Sequence, residues 1–127
     1  MSLIPLEATT RGSDVFLRST EGWEVPLSPA NAAKAGKATT NKVVLGARHS
    51  TIKLHHARVA GSIPARVYTV EPTGDITFVQ LFIGGAVVNA SVAPSVVVRP
   101  DETVHVEFDQ ERVHLFDAAT TQALEAA

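Results

Sequence analysis

Apolar and polar residues alternate with a period of two through much of this chain, the mark of strands that bury one face. Val104, Val106 and Phe108 fall on one face of such a segment, and Thr103, His105 and Glu107 fall on the other. The pattern predicts strands over 14–18, 23–27, 42–47, 51–55, 65–71, 76–83, 86–92, 103–108 and 113–116. Valine recurs in these runs, as in Val43-Val44, Val87-Val88 and Val96-Val97-Val98, and β-branched side chains suit a pleated, half-buried surface. Turn residues punctuate them at about 8–12-residue spacing, as in a sandwich or barrel. In 76–83, Val79, Leu81 and Ile83 share one face while Phe78 and Phe82 flank Gln80 on the other. A strand apolar on both sides is central in its sheet or turns one face to a partner. Gly84-Gly85 between two apolar runs fits a type I′ or II′ hairpin. Pro100-Asp101 marks the turn before the next strand.

One short helix is expected where Ser28 can cap, Pro29 occupies the first helical position, Ala30 to Ala35 propagate and Gly36 terminates. A second is expected over 118–127, from its Ala, Gln, Leu and Glu content. Small residues with Gly61 and Pro64 cluster near 57–64, dividing an N-terminal β segment, 1–57, from a second segment, 58–127, within one domain.

Composition narrows the function. The 127 residues are 45% hydrophobic and 19% charged, ordinary for a globular domain, with a formal net charge of −2. A binder of nucleic acid by phosphate neutralisation needs a basic excess, and aromatics are only 6%, so no nucleic-acid partner is expected. The chain has no cysteine, which excludes disulfides, thiol catalysis and thiolate metal sites. The N-terminus, Met1-Ser2-Leu3-Ile4-Pro5, reads neither as a signal peptide nor as a lipidation motif; Met1-Ser2-Leu3 is open to two readings, a native start or a cloning remnant on a piece of a larger protein.

Catalytic motifs are missing. Gly36-Lys37-Ala38-Thr39 echoes a phosphate-binding loop, but Asn31 stands where the first glycine belongs and Ala38 where Ser or Thr would hold Mg²⁺. Adjacent His55 and His56 point to opposite faces of a strand, and His105 and His114, on predicted neighbouring strands, lack a third ligand. Asp101, Glu102, Asp109 and Glu111 flank turns, where acids bond local amides. No catalytic, cofactor-binding or metal-ligating residue is therefore expected.

The run Ala65-Arg66-Val67-Tyr68-Thr69-Val70-Glu71-Pro72-Thr73-Gly74-Asp75-Ile76-Thr77-Phe78-Val79 resembles the start of a TOBE domain: an apolar strand, Val-Glu-x-x-Gly, then a second apolar strand. Val104 to Asp117, ending His114-Leu115-Phe116-Asp117, resembles its closing strands. Val44-Leu45-Gly46-Ala47-Arg48 resembles the Leu-Gly-x-Arg segment that precedes it, although His49-Ser50 replaces the usual Pro-Glu. The whole is similar to the C-terminal regulatory region of ATP-binding subunits of carbohydrate-importing ABC transporters, of the maltose-importer type.

The resemblance implies an all-β, OB-fold-like barrel (TOBE/MOP-like) with one or two short helices. It implies a non-catalytic regulatory and dimerisation domain of an ABC importer for sugars or related solutes. The implied partners are a second copy of the domain, an N-terminal ATPase domain in the parent chain and, indirectly, the membrane subunits. The implied location is cytoplasmic, peripheral to the inner membrane through the complex. Arg48, Glu71, Gly74, Phe116 and Asp117 become the candidate interface. Each also has a plain reading: Phe116 as core, Glu71 as a rim charge, Gly74 for backbone conformation with Asp75 capping the turn, and Arg48 as the partner of a local acid. The alternative is a small-oxyanion (molybdate-type) binding domain, to which Thr39, Thr40, Lys42 and Ser91 would contribute.

Overall fold

The computed structural model describes residues 2–124. Ten strands form two five-stranded sheets. In chain order they are β1 (Ser2–Arg11), β2 (Asp14–Arg18), β3 (Glu24–Pro26), β4 (Lys42–Ala47), β5 (Ile52–His55), β6 (Ile63–Pro72), β7 (Thr77–Ile83), β8 (Ala86–Val92), β9 (Thr103–Phe108) and β10 (His114–Asp117). One helix, α1 (Pro29–Ala35), and a 3-10 turn over His49–Thr51 complete the described elements.

The chain divides into two compact units. One comprises residues 1–2 and 47–109, with sheet order β5-β9-β6-β7-β8 and every neighbouring pair antiparallel. Its core follows from strand alternation. Ile63, Ala65 and Val67 on β6, Val79, Leu81 and Ile83 on β7, Val88 and Ala90 on β8, and Val104, Val106 and Phe108 on β9 are all buried. Each buried Val, Leu, Ile or Phe side chain among them contributes about 1.5–3 kcal/mol of transfer free energy. Strand β7 is interior, between β6 and the edge strand β8. The β7–β8 register runs from Thr77↔Val92 to Ile83↔Ala86, leaving Gly84-Gly85 as the loop. Gly84 takes φ 58°, as the first loop position of either primed hairpin turn requires. The β6–β7 register shifts between Val67 and Thr69, so Tyr68 is the extra residue of a bulge. The bulge makes Val70 rather than Thr69 the partner of Val79.

The other unit comprises residues 3–46 and 110–127, with sheet order β10-β4-β1-β2-β3. Ile4 and Leu6 on β1, Leu17 on β2, Val25 on β3, Val43 and Leu45 on β4 and Leu115 on β10 are buried. Helix α1 begins as its sequence dictates: the Ser28 hydroxyl accepts from the Asn31 N–H at 3.2 Å, and Pro29 follows. Gly36 ends it at φ −64°, ψ −15°, so the stop is right-handed and does not use glycine's left-handed freedom. Asn31 is buried and donates from Nδ2 to the Gln110 carbonyl at 2.7 Å and to Gln110 Oε1 at 3.0 Å. Gln110 Oε1 also accepts from the Ser28 N–H at 2.9 Å.

Two expectations of secondary structure are corrected. Strand β1 has ten residues where the hydrophobic pattern predicted none. Nor does a helix start at Ala118: turns occupy 118–120, Thr121 takes a positive φ of 63°, and Ala123 bridges back to Phe116. The remainder of that expected helix, 125–127, lies outside the described residues.

Candidate interaction surface

Strands place side chains in rows. On the outward face of the 47–109 unit, the cross-strand register defines three rungs over β6, β7 and β8: Arg66–Phe82–Val87, Thr69–Gln80–Asn89 and Glu71–Phe78–Ser91. Aromatic rungs thus flank a central amide rung. Tyr68, lifted by the bulge, stands 5.0 Å from Phe82 between ring centroids, and the Arg66 guanidinium lies 5.4 Å from the centroid of the same ring. The His49 ring meets Phe78 edge-on at 5.5 Å, and its Nδ1 is hydrogen-bonded to Ser91 Oγ at 2.8 Å. Tyr68, Phe78 and Val87 remain 54%, 37% and 45% exposed, a concentration of large apolar side chains on one sheet face.

Two hollows open on this unit. One, of about 540 Å³, is bounded by Pro64, Arg66, Phe82, Gly84, Gly85 and Thr103. The second, of about 320 Å³, is bounded by His49, Thr69, Glu71, Phe78, Gln80 and Asn89.

Three of the candidate interface residues belong to this unit. Arg48 is exposed; its carbonyl accepts from the Thr51 N–H at 2.9 Å and hydroxyl at 2.8 Å, and its guanidinium meets no acid among the described residues. Glu71 is exposed, opposite Phe78. Gly74 sits in the β6–β7 turn at φ 98°, where the turn closes by Thr73 N–H to the Ile76 carbonyl at 2.9 Å.

Phe116 and Asp117 belong to the other unit. Phe116 is half-buried, paired with Val44 and bridged by Ala123. Asp117 is buried and accepts from the Thr39 N–H at 2.9 Å, the Thr39 hydroxyl at 3.2 Å and the Ala119 N–H at 2.9 Å. The Thr39 backbone bond, then that of Ala119, hold its carboxyl below the usual carboxylate range against the opposing effect of burial.

Of the four residues named for an oxyanion, the side chains of Thr39, Thr40 and Ser91 are engaged within the chain, while Lys42 bonds through its backbone N–H. Thr39 faces a carboxylate, Thr40 Oγ1 accepts from the Lys42 N–H at 3.2 Å, and Ser91 holds His49. The histidines do not gather. His55 pairs with Glu107 at 3.0 Å, His56 Nε2 bonds the Val97 carbonyl at 2.7 Å, and His105 and His114 lie in different sheets, contrary to the expected neighbouring strands. Among the described residues no three His, Cys, Asp or Glu converge, and no helix is long and apolar enough to cross a membrane. Sequence reasoning missed Tyr68 and His49 as surface groups. The strand pattern marks Tyr68 only as outward, and nothing local announces that His49 will brace Phe78.

Residues 59–115 match the family model described as TOBE domain. Over 111 residues the chain is 26% identical to the sulfoquinovosyl glycerol transport ATP-binding protein SmoE of Agrobacterium fabrum, covering 85% of this chain and 30% of that protein. Over 123 residues it is 32% identical to the uncharacterized ABC transporter ATP-binding protein y4oS of Sinorhizobium fredii, covering 94% of this chain and 30% of that protein. The chain therefore spans about 30% of the length of these curated relatives. Among solved structures, the cytoplasmic molybdate-binding protein ModG with molybdate bound superposes with a TM-score of 0.71 at 14% identity, over 89% of this chain and 93% of that one. That likeness is one of fold: all-β and OB-fold-like, as expected.

Proposed function

We propose, from the premise that residues 59–115 of this chain are a TOBE domain, that the chain acts as an accessory, non-catalytic regulatory region of the ATP-binding subunit of an ABC importer. The observation that carries this reading is the length of its match. Relatives that are ABC transporter ATP-binding proteins align with 85% and 94% of this chain while it spans only 30% of theirs. The ATPase chemistry then belongs to the remainder of such a subunit, and the complex holds the region at the cytoplasmic face of the inner membrane. A sugar or related solute as cargo is supported by one relative, named for sulfoquinovosyl glycerol transport.

The physical role is a tether between two ATP-binding subunits. A standing contact between two copies of this region makes each reclosure of the catalytic halves intramolecular, which raises their effective concentration. Such a contact needs mixed apolar and charged surface, and exposed Arg48, Glu71 and the Gly74 turn supply it on the same unit as Tyr68 and Phe78. The test is sedimentation of this chain and of the complete subunit. A dimer of the complete subunit that Glu71→Lys weakens is the expected result. If both species stay monomeric at high micromolar concentration, the tether is wrong.

The fold likeness to a molybdate-binding protein favours a second reading, binding of a small oxyanion. Calorimetry with molybdate and tungstate tests it. A micromolar dissociation constant would put this reading first.

A further inference from the structure

We propose that the hollow bounded by His49, Glu71, Phe78, Gln80 and Asn89 binds a neutral polyhydroxylated ligand, a mono- or disaccharide. This does not depend on the importer reading, since it rests on the chemistry of the hollow alone; a dimer contact that covered Glu71 and Phe78 would compete with the ligand, so the free chain is the species to titrate.

The floor is the Thr69–Gln80–Asn89 rung, set on three adjacent antiparallel strands and so rigidly spaced. Gln80 and Asn89 stand directly opposite one another, yet among the described residues neither side-chain amide has a hydrogen-bond partner. Each amide offers both donors and an acceptor, which is what a ring of hydroxyl groups requires. Phe78 supplies an apolar wall 37% exposed, suited to the C–H face of a pyranose. The His49 ring, held through Nδ1 to Ser91, meets it at a steep angle at the margin of the same hollow. The Glu71 carboxylate opposite Phe78 can accept strong hydrogen bonds from ligand hydroxyls.

Charge decides the ligand class. No Lys or Arg lines this hollow and one carboxylate does, so molybdate, phosphate or a nucleic-acid backbone would be repelled. The volume of about 320 Å³ is at the small end of ligand sites, enough for one or two sugar rings. An open site of this size implies weak binding, with a dissociation constant on the order of 1 mM.

The test is a titration of the 127-residue chain, followed by amide NMR, with glucose, maltose, sucrose and glycerol as probes and molybdate as the anionic contrast. The expected result is saturable movement of the Gln80 and Asn89 side-chain amide signals with at least one sugar. Asn89→Ala and Phe78→Ala should each weaken that binding about tenfold. Asn89 is exposed, so its substitution should leave the core untouched, and circular dichroism of both variants checks that they fold. The proposal is overturned if no probe gives saturable shifts up to about 50 mM. It is equally overturned if the shifts map elsewhere, if both variants bind as tightly as the parent, or if molybdate binds this hollow in preference to sugars.

Discussion

Asp117 takes both the backbone N–H and the hydroxyl of Thr39, at 2.9 and 3.2 Å, across 78 positions of sequence. A carboxylate at the end of β10 thereby fixes the segment that leads into β4, the strand beside it. These bonds are made by the ionised form and lower the carboxyl's pKa from 3.8. A depressed folded-state value contributes stability that is full above the unfolded pKa and is lost as pH falls through the folded one. Asp117→Asn presents an amide N–H to donors, so it should melt at a lower temperature than the parent at pH 7. The difference should shrink as pH drops below about 4. Thermal melts of both proteins at several pH values check this, and a pH-independent difference would contradict it.

The core of the 47–109 unit predicts a steep contrast along a single sheet. Leu81 is fully buried on interior strand β7, whereas Val87, on edge strand β8, is 45% exposed. Leu81→Ala should cost about 2–5 kcal/mol through lost transfer energy and the cavity left behind. Val87→Ala should cost less than about 1 kcal/mol. Urea unfolding followed by circular dichroism separates the two, and equal midpoints would mean that the burial pattern is wrong.

Two glycines should respond with opposite signs. A Cβ at Gly74 meets nothing within 4 Å, but its φ of 98° strains any L side chain. Gly74→Ala should therefore cost about 1–2 kcal/mol from the backbone alone. Gly36 is right-handed, and a Cβ there meets only the Ala33 and Ala32 carbonyls, at 3.5 and 3.7 Å, ordinary contact distances. Gly36→Ala should stabilise by about 0.4–1 kcal/mol by restricting the unfolded chain. Chemical denaturation of the pair reads both signs in one experiment.

Asn31 offers a buried polar test. Asn31→Ala leaves the Gln110 carbonyl without its 2.7 Å donor and should cost about 1–3 kcal/mol. In a double-mutant cycle with Gln110→Ala, the two substitutions should be non-additive, because Asn31 Nδ2 also bonds Gln110 Oε1. Strict additivity would deny the network.

The strands that the pattern revealed are those with clean alternation and local punctuation. Strands β2, β4, β8 and β9 coincide with the expected 14–18, 42–47, 86–92 and 103–108. Strand β1 was illegible because Pro5 argues against a central strand. In the structure Pro5 lies outside the β1–β2 ladder, which covers Glu7–Arg11. The false helix after Ala118 came from propensity without tertiary context. Asp117 caps the turn, accepting from the Ala119 N–H, and the chain folds back on Phe116 instead. The flanking of Gln80 by Phe78 and Phe82 was visible as period-two spacing, but the joining of Thr69 to Gln80 depends on the bulge at Tyr68. A one-residue irregularity of that kind leaves no local trace in composition.

The β4–β10 pairing, Gly46 against His114 through Val43 against Asp117, imposes an order on biosynthesis. As the polypeptide emerges from the ribosome, β4 must wait with one margin open while the whole intervening β5–β9 sheet is translated. Only the last strand seals it. A nascent chain that stalls short of His114 would therefore carry a sticky edge exposed to other chains.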